Sequence, residues 1–540
     1  MLMVLPDIGP PNPILRLRRV LPLWHGLLAI FVAVLLSGCV SLPEVGSRSL
    51  QWTPEDTDEA ALTQSLLDAF GAERILQADA AESGFLLLKG GPEALAARLA
   101  LIQQAEHSIV IQTYQFKDEP STHLILAHLL AAAERGVAVR LLTDDFDNEF
   151  PSAWLATLAS HDNFDIRIFN PYPMRFSRGL NYLTRFASVH RRMHNKVFVV
   201  DNRVGIIGGR NLGDIYFEAE AEHLFLDLDV LTLGPASQAL SEAFDAYWNH
   251  QLAVDAVQVS QGRTRSSLAR IQADLLPQVE AYQATVADWR WEDKPVVWAP
   301  ARVYVDDPGK LLRSSRDDTG HLMPQMMPEL AATRNEVLFV TPYFVPGQDG
   351  TDVLTAATRA GLRIDLLTNS LAANNVPIAH SGYAPYRREL LAHGVRLWEV
   401  QPTPWTRYES GSTAIPWRSA MADRVTLHAK VWVMDRERVF IGSLNMDPRS
   451  MQHNTEIGVL IDSPELASQI LDWIEPLKNH LAWRVELDES GDKAWLRMPD
   501  LDLEGPGAEA TAIANYDPES SWWRRFSISL YTFLPIESLL

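Results

Sequence analysis

The chain has 540 residues, more than one hydrophobic core usually supports, so two domains or two large lobes are expected. A hydrophobic fraction of 47% and a mean hydropathy of -0.07 exclude a polytopic membrane protein and a disordered one. A net charge of -21 opposes approach to a polyanion and weighs against nucleic acid as partner, while a single cysteine excludes an internal disulfide and a cysteine-built zinc site.

At the start of the chain, Arg16, Arg18 and Arg19 precede an apolar run from Val20 to Leu36, closed by Leu36-Ser37-Gly38-Cys39. Basic residues, an apolar core and small residues at a cut are the layout of a secretory signal. The ending resembles a bacterial lipobox, in which Cys39 is diacylated and becomes the new N-terminus. The alternative is an uncleaved membrane anchor, for which Pro22 and Gly26 leave the apolar stretch short. Both readings put the body in the cell envelope, outside the cytoplasm. Residues 1–39 are therefore expected to be the signal peptide. Residues 40–85 are expected to form a tether and an N-terminal helical segment.

An internal duplication decides the architecture. Pro92 to Glu106 has helical spacing of Leu95, Leu99 and Ile102, and the buried strand Ser108 to Tyr114 follows. A helix then leads through Gly136 to a strand over 137–143, and a third strand covers Phe164 to Phe169. The second half repeats this order, with a strand over 336–343, a helix to Gly361, a strand over 362–368 and another over 394–398. Strands alternating with helices predict an α/β protein of two duplicated lobes. Each lobe is expected to be a mostly parallel sheet flanked by helices, with a pseudo-twofold site between the lobes. The lobes are expected over 86–253 and 301–500, joined by a connector over 254–300. A tail over 501–540 turns aromatic from Trp522 onward, and its run to Leu534 reads either as a helix docked on the body or as an interfacial membrane helix.

Each half carries the same string. His194, Lys196 and Asp201 precede Gly208-Gly209-Arg210-Asn211, and His428, Lys430 and Asp435 precede Gly442-Ser443-Leu444-Asn445. Every spacing agrees between the copies. His and Lys at i and i+2 of a strand project from one face, so an imidazole and an ammonium enter one pocket. The small residues of the following corner let backbone N–H groups and the Asn amide approach an anion. Two copies around one phosphate supply a nucleophile, an acid and several charge-stabilising donors without a metal or another cofactor. Each histidine needs an orienting acceptor, and each copy carries one: Glu456 in the second and Asp227 in the first. Asp227 lies seven residues before Gly234, as Glu456 lies seven before Ser463, and is favoured over Glu222 and Asp229 on that alignment. Asp201 and Asp435 begin turns, which suits a structural role.

The paired motifs resemble the phospholipase D superfamily, whose members share a bilobal α/β fold and work through a covalent phosphohistidine. The resemblance runs from about Gly84 to the C-terminus. It implies that one histidine attacks phosphorus while the other protonates the leaving alcohol and then activates the incoming one. By analogy with members whose N-terminal copy supplies the nucleophile, His194 attacks and His428 is the acid/base; the sequence itself leaves that order open. Lys196, Lys430, Asn211 and Asn445 would hold the phosphoryl oxygens. Gly209 stands where the second copy has Ser443, so a hydroxyl donor to the phosphate is expected from the second half alone.

Further strings narrow the resemblance. His190 to His194, Gly208 to Asp214, Val376 to Tyr383, Asn445 to Ser450 and Leu534 to Ser538 look like bacterial cardiolipin synthases of the C type. That likeness implies a phosphatidyltransferase acting on phospholipids at a membrane surface, with a hydrolysing phospholipase D and a secreted nuclease as alternatives. Acidic charge and the lipid anchor disfavour the nuclease. A binding module is disfavoured because both His-Lys sets are intact. His380 and Tyr383 are candidates for headgroup binding, and Tyr114 and Tyr343 end equivalent strands near the pocket mouth.

Overall fold

The computed structural model describes residues 60–71, 75, 81–175, 179–182, 189–218, 223–263, 267–286, 294–403, 424–498, 509–532, 534, 537 and 540. The leader, Cys39 and most of the tether lie outside the described residues. Described residues of Tyr172–His190 belong to a small separate unit. Within it, Asn181 Nδ2 donates to Met174 O at 2.8 Å, and Tyr172 and Tyr182 share a hydroxyl bond. Both lobes lie in the other unit.

The first sheet has nine strands. In spatial order they are Val297–Ala299, Ser83–Leu88, Asp229–Leu233, Val204–Gly208, Val197–Val200, Ser108–Phe116, Ala138–Asn148, Phe164–Phe169 and Ala253–Asp255. The second sheet repeats this order from Ala301–Val305 through Ile457–Asp462, Arg438–Gly442, Val431–Met434, Glu336–Val340, Arg363–Asn369 and Arg396–Val400 to Ala482–Leu487. Lys493–Arg497 and Thr511–Ala514 extend it. The duplication read from the motifs is thus a duplication of strand order.

The expectation of mostly parallel sheets needs correction. In each sheet only three consecutive strands run parallel, Ala138–Asn148 with its two neighbours and Arg363–Asn369 with its two. The His-x-Lys motif is followed by a hairpin, Val197–Val200 to Val204–Gly208, and hairpins are antiparallel. These hairpin strands are buried along their whole length because the sheet is covered on both faces, which suits their run of Val, Ile and Phe. The stretch expected to connect the halves is woven into the first lobe. Val297–Ala299 pairs with Ser83–Leu88, and helix Leu268–Val286 lies against helix Pro120–Glu134.

Separate hydrophobic cores fill the lobes, one around Leu99, Ile125, Leu141 and Phe198, the other around Phe339, Leu366, Trp432 and Trp483. Each hairpin turn is closed by its motif aspartate. Asp201 adopts φ 48° and accepts the backbone N–H groups of Glu106, His107 and Ser108 at 2.7 to 3.0 Å. Asp435, at φ 53°, accepts those of Arg334, Asn335 and Glu336 over the same range. Each aspartate therefore ties its hairpin to the start of the parallel strand beside it. Asp201 is fully buried and Asp435 half-buried. Asp201→Ala leaves buried donors without an acceptor and is expected to lower stability by about 3 kcal/mol, with a smaller loss for Asp435→Ala. The shift of the urea midpoint measures both; equal, negligible shifts would contradict the structural role.

Candidate active site

The two His-x-Lys pairs sit where the lobes are stitched together. Strands His223–Leu226 and Arg424–Leu427, one from each half, pair in parallel. Beyond them, His428 and Ala429 donate their backbone N–H groups to Leu226 O at 2.7 and 3.0 Å. On the other side, His194 N–H donates to Thr455 O and Thr455 N–H to Arg192 O, both at 2.9 Å. Leu226 and Thr455 are the residues immediately before Asp227 and Glu456. Each carboxylate is thereby delivered to the opposite lobe's histidine.

The pairing that results is crossed. His194 Nδ1 lies 2.8 Å from Glu456 Oε2, and His428 Nδ1 lies 2.5 Å from Asp227 Oδ2. The sequence reading took each carboxylate with the histidine of its own copy; the inter-lobe backbone bonds exchange them. An ionised carboxylate only accepts, so each Nδ1 carries a proton and each Nε2 keeps its lone pair. Both histidines are buried, at 7% and 5% exposure, and both lie outside the regular strands. The regular strands begin one residue after Lys196 and Lys430. Same-face projection still holds, because each lysine folds back on its own histidine: Lys196 Nζ donates to His194 O at 2.6 Å, and Lys430 Nζ to His428 O. Among the described residues neither ammonium forms an ion pair. Burial drives the Lys196 pKa well below its usual value and Lys430 to about 8, against the nearby carboxylates. Two desolvated cations of this kind gain most from a bound anion.

Gly209 and Ser443 act differently from expectation. The Ser443 hydroxyl donates to Glu456 Oε2 at 2.5 Å and accepts Ile457 N–H at 3.0 Å, so it serves the carboxylate and the strand. In the first copy the carboxylate itself fills the equivalent space, where a Cβ on Gly209 would stand 2.1 Å from Asp227 Oδ1. Gly209→Ala is therefore expected to displace Asp227, cost about 2 kcal/mol of stability and reduce turnover through His428. Thermal melting and steady-state rates check this; unchanged rates would sink it. Asn211 exchanges bonds with Gln115, its Nδ2 donating to Gln115 Oε1 at 3.0 Å, and Asn445 Nδ2 reaches Ser450 Oγ at 3.3 Å.

The two carboxylates differ electrostatically. Burial raises the Glu456 carboxyl to about 7, with Lys196 and Ser443 pulling the other way. Burial also acts to raise Asp227, but His428, Lys430 and Arg210 outweigh it and hold Asp227 below the ordinary carboxylate range. Burial and Lys430 push His428 down to about 3 against the pull of Asp227. Burial, Lys196 and Lys430 keep His194 well below its ordinary value. Both imidazoles are thus neutral bases before a phosphate binds.

Residues that the sequence reading passed over support this centre. Arg210 is fully buried and donates to the carbonyl oxygens of Leu88, Tyr216 and Asp227, while its N–H meets Asp229. Arg98 pairs with Asp229 at 2.8 Å. In the second lobe, Asp306 Oδ2 accepts Glu456 N–H at 2.7 Å and is paired with Lys310 at 2.9 Å. Asp144 Oδ2 holds Met193 N–H at 3.0 Å, just ahead of His194. Arg210 lies within the Gly208 to Asn211 string and Asp229 is the carboxylate set aside in favour of Asp227; Arg98, Asp144, Asp306 and Lys310 are single charged residues outside both motifs. Aromatic rings line the centre. Tyr114 meets His194 edge-on at 4.8 Å between ring centres, and Phe225 stacks on His428 at 5.0 Å. Tyr343 lies three residues beyond the end of the equivalent strand Glu336–Val340 and donates its hydroxyl to Asn375.

His380 and Tyr383 are not gathered with these groups. His380 is 2% exposed, bonded to Arg387 and 3.4 Å from Asp517, and Arg387 also pairs with Glu399 at 3.0 Å. Arg387 covers the Tyr383 ring at 4.8 Å. The expected headgroup contact is replaced by a buried charge cluster that fastens the segment around Asp517 to the second lobe.

Two lobes of equal strand order, sharing one duplicated His-Lys centre, define a phospholipase D-type α/β fold. The model of a family described as "Cardiolipin synthase, PLD-like domain" matches residues 99–248 and 326–478. The chain belongs to that family. It is 36% identical to cardiolipin synthase C of Escherichia coli K12 over 475 residues, covering 85% of this chain and 96% of that protein. It is 26% identical to cardiolipin synthase B of the same strain, covering 69% and 75%. The phosphatidylserine synthase of Haemophilus influenzae shares the fold, with a TM-score of 0.53 at 14% identity, over 86% of this chain and 97% of that one.

Proposed function

We propose that this chain is a phosphatidyltransferase that joins phospholipids into cardiolipin through a covalent phosphohistidine. The observation carrying the reading is the crossed pair of His–carboxylate dyads beside two buried lysines that form no ion pair among the described residues. Similarity to cardiolipin synthase C along nearly the whole of both chains supports the substrate class.

His194, neutral and oriented by Glu456, attacks the phosphodiester phosphorus through Nε2, and the P–O bond to the leaving alcohol breaks. The bound diester offsets the charge of Lys196 and Lys430, which relieves part of what depresses His428. On binding the diester, His428 takes up a proton from solvent at Nε2, and this imidazolium, backed by ionised Asp227, gives that proton to the departing oxygen. It then takes a proton from the incoming lipid hydroxyl, which attacks phosphorus and releases His194. Lys196, Lys430, Asn211 and Asn445 hold the phosphoryl oxygens. The asymmetry of the carboxylates supports this order, since Asp227 beside His428 is held ionised while burial raises Glu456 beside His194.

Incubation with labelled phosphatidylglycerol, with and without phosphatidylethanolamine, tests the reading. Cardiolipin is the expected product. Phosphatidic acid alone would make the chain a hydrolase, and cut DNA without lipid turnover would sink both. We also place the body outside the cytoplasm, anchored through Cys39, on the strength of the leader. Cys39→Ala should abolish lipid labelling, and unchanged labelling would remove the anchor.

A further inference from the structure

Among the described residues, exposed large hydrophobic side chains concentrate near the end of the chain. Seven of the thirteen fall between Ile513 and Leu534: Ile513, Tyr516, Trp522, Trp523, Phe526, Leu530 and Leu534. Helix Trp522–Tyr531 carries four of them. Trp522, Phe526 and Leu530, at spacing i, i+4 and i+8, form an outward stripe beside Trp523. Trp522 and Trp523 are 66% and 64% exposed, and both stack on Phe526 at about 5.5 Å between ring centres. Ile528 and Arg524 lie on the opposite face, two residues or about 200° around the helix. Ile528 is buried, and Arg524 donates to Asn374 O. One face is docked, and the other presents stacked indoles.

The anchoring point is informative. Asn374 belongs to the loop leaving strand Arg363–Asn369. Asn369 holds Leu427 from both sides, accepting its N–H and donating to its carbonyl at 2.8 Å. Leu427 precedes His428. Thr426 and Arg424 donate to Ala373 O and Ala372 O in the same loop. The helix is therefore built onto the loop from which the second catalytic segment hangs.

Its charge has the sign opposite to that of the chain. The helix holds Arg524 and Arg525 and no acid, in a protein of net charge -21. Arg424 stands near Arg524, and the two line a cleft at the foot of the helix with Ser521, Thr403 and Glu519. The Nε–H groups of both arginines are buried without a partner.

We propose that the indole ridge of Trp522, Trp523 and Phe526 seats the catalytic body on a bilayer of anionic phospholipid. This rests on the phospholipid reading above, because only such a substrate requires the site to meet a membrane. Aromatic side chains settle at the headgroup level, and Arg525, stacked on exposed Tyr516 at 4.6 Å, complements lipid phosphate. A hydrophobic ridge is needed here because the body's net negative charge repels an anionic surface.

The test uses the full chain in vesicles of phosphatidylethanolamine and phosphatidylglycerol containing acyl-brominated lipid, which quenches indoles inserted beside it. The wild type is compared with Trp522→Ser/Trp523→Ser, so that Trp24 in the leader contributes equally to both. Quenching should fall in the variant, and turnover of vesicle lipid should drop about tenfold. Turnover of short-chain phospholipid dispersed in detergent should stay within about twofold, which also shows that the variant is folded. Equal quenching in the two proteins overturns the proposal. So does a change of sedimentation from dimer to monomer in the variant, which would assign the ridge to a second copy. Ridge-dependent quenching with no lipid turnover in either dispersion would sink the phospholipid reading and leave the docking surface standing.

Discussion

His428→Ala is expected to stop turnover of phospholipid by at least about 10⁴-fold while still forming the covalent intermediate from an activated diester. With a p-nitrophenyl phosphatidyl ester the leaving group departs without a proton, so loss of the acid does not block the first step. The second step still needs a base to activate the incoming hydroxyl, and that base is gone. One equivalent of p-nitrophenol per protein should appear in a burst, together with the matching mass increase on the intact chain. His194→Ala should show neither, because the atom that attacks phosphorus has been removed. A burst in His194→Ala and none in His428→Ala would reverse the proposed order. A burst in both would mean that neither histidine is the sole nucleophile.

Much of this could be read along the chain, and the limits have physical causes. The repeated succession of strands along the chain and the turn role of Asp201 and Asp435 follow from local pattern: apolar runs, an Asp-led turn and equal spacings. The crossing of Asp227 and Glu456 could not be read that way. It is set by backbone bonds such as His428 to Leu226 and His194 to Thr455, between residues more than two hundred positions apart. Alignment within each copy marks the correct carboxylates but carries no information on which lobe they face. Strand Val297–Ala299 was hidden for a similar reason. Three residues are too few to show alternation, and its partner Ser83–Leu88 lies at the far end of the first lobe. His380 and Tyr383 misled because a histidine near a family-like string resembles a ligand. Its actual partners, Arg387 and Asp517, are a buried cluster assembled from distant residues.

The crossing has its own consequence, which separates the two carboxylates by the step each supports. Glu456→Gln is expected to cost about 10²- to 10⁴-fold in turnover and to abolish the burst assigned to His194, although residue 456 lies in the other lobe. Asp227→Asn should spare the burst from the p-nitrophenyl ester and slow only phospholipid, whose leaving group needs the His428 proton. The pH dependence follows from the same assignment. Glu456 has its carboxyl raised from 4.5 to about 7, so below that pH it is protonated and no longer fixes the proton of His194 on Nδ1. As pH rises through 7 it ionises, Nε2 is left free to attack, and the burst rate should climb. Glutamine cannot ionise, so this limb should vanish in Glu456→Gln. Asp447, also raised to about 7 by burial, and Asp144 and Asp306, raised by burial to about 6, are further buried acids titrating near that range. A limb that persists in Glu456→Gln and disappears in Asp447→Asn would move the assignment to Asp447. A burst lost in Asp227→Asn and kept in Glu456→Gln would return each carboxylate to the histidine of its own copy.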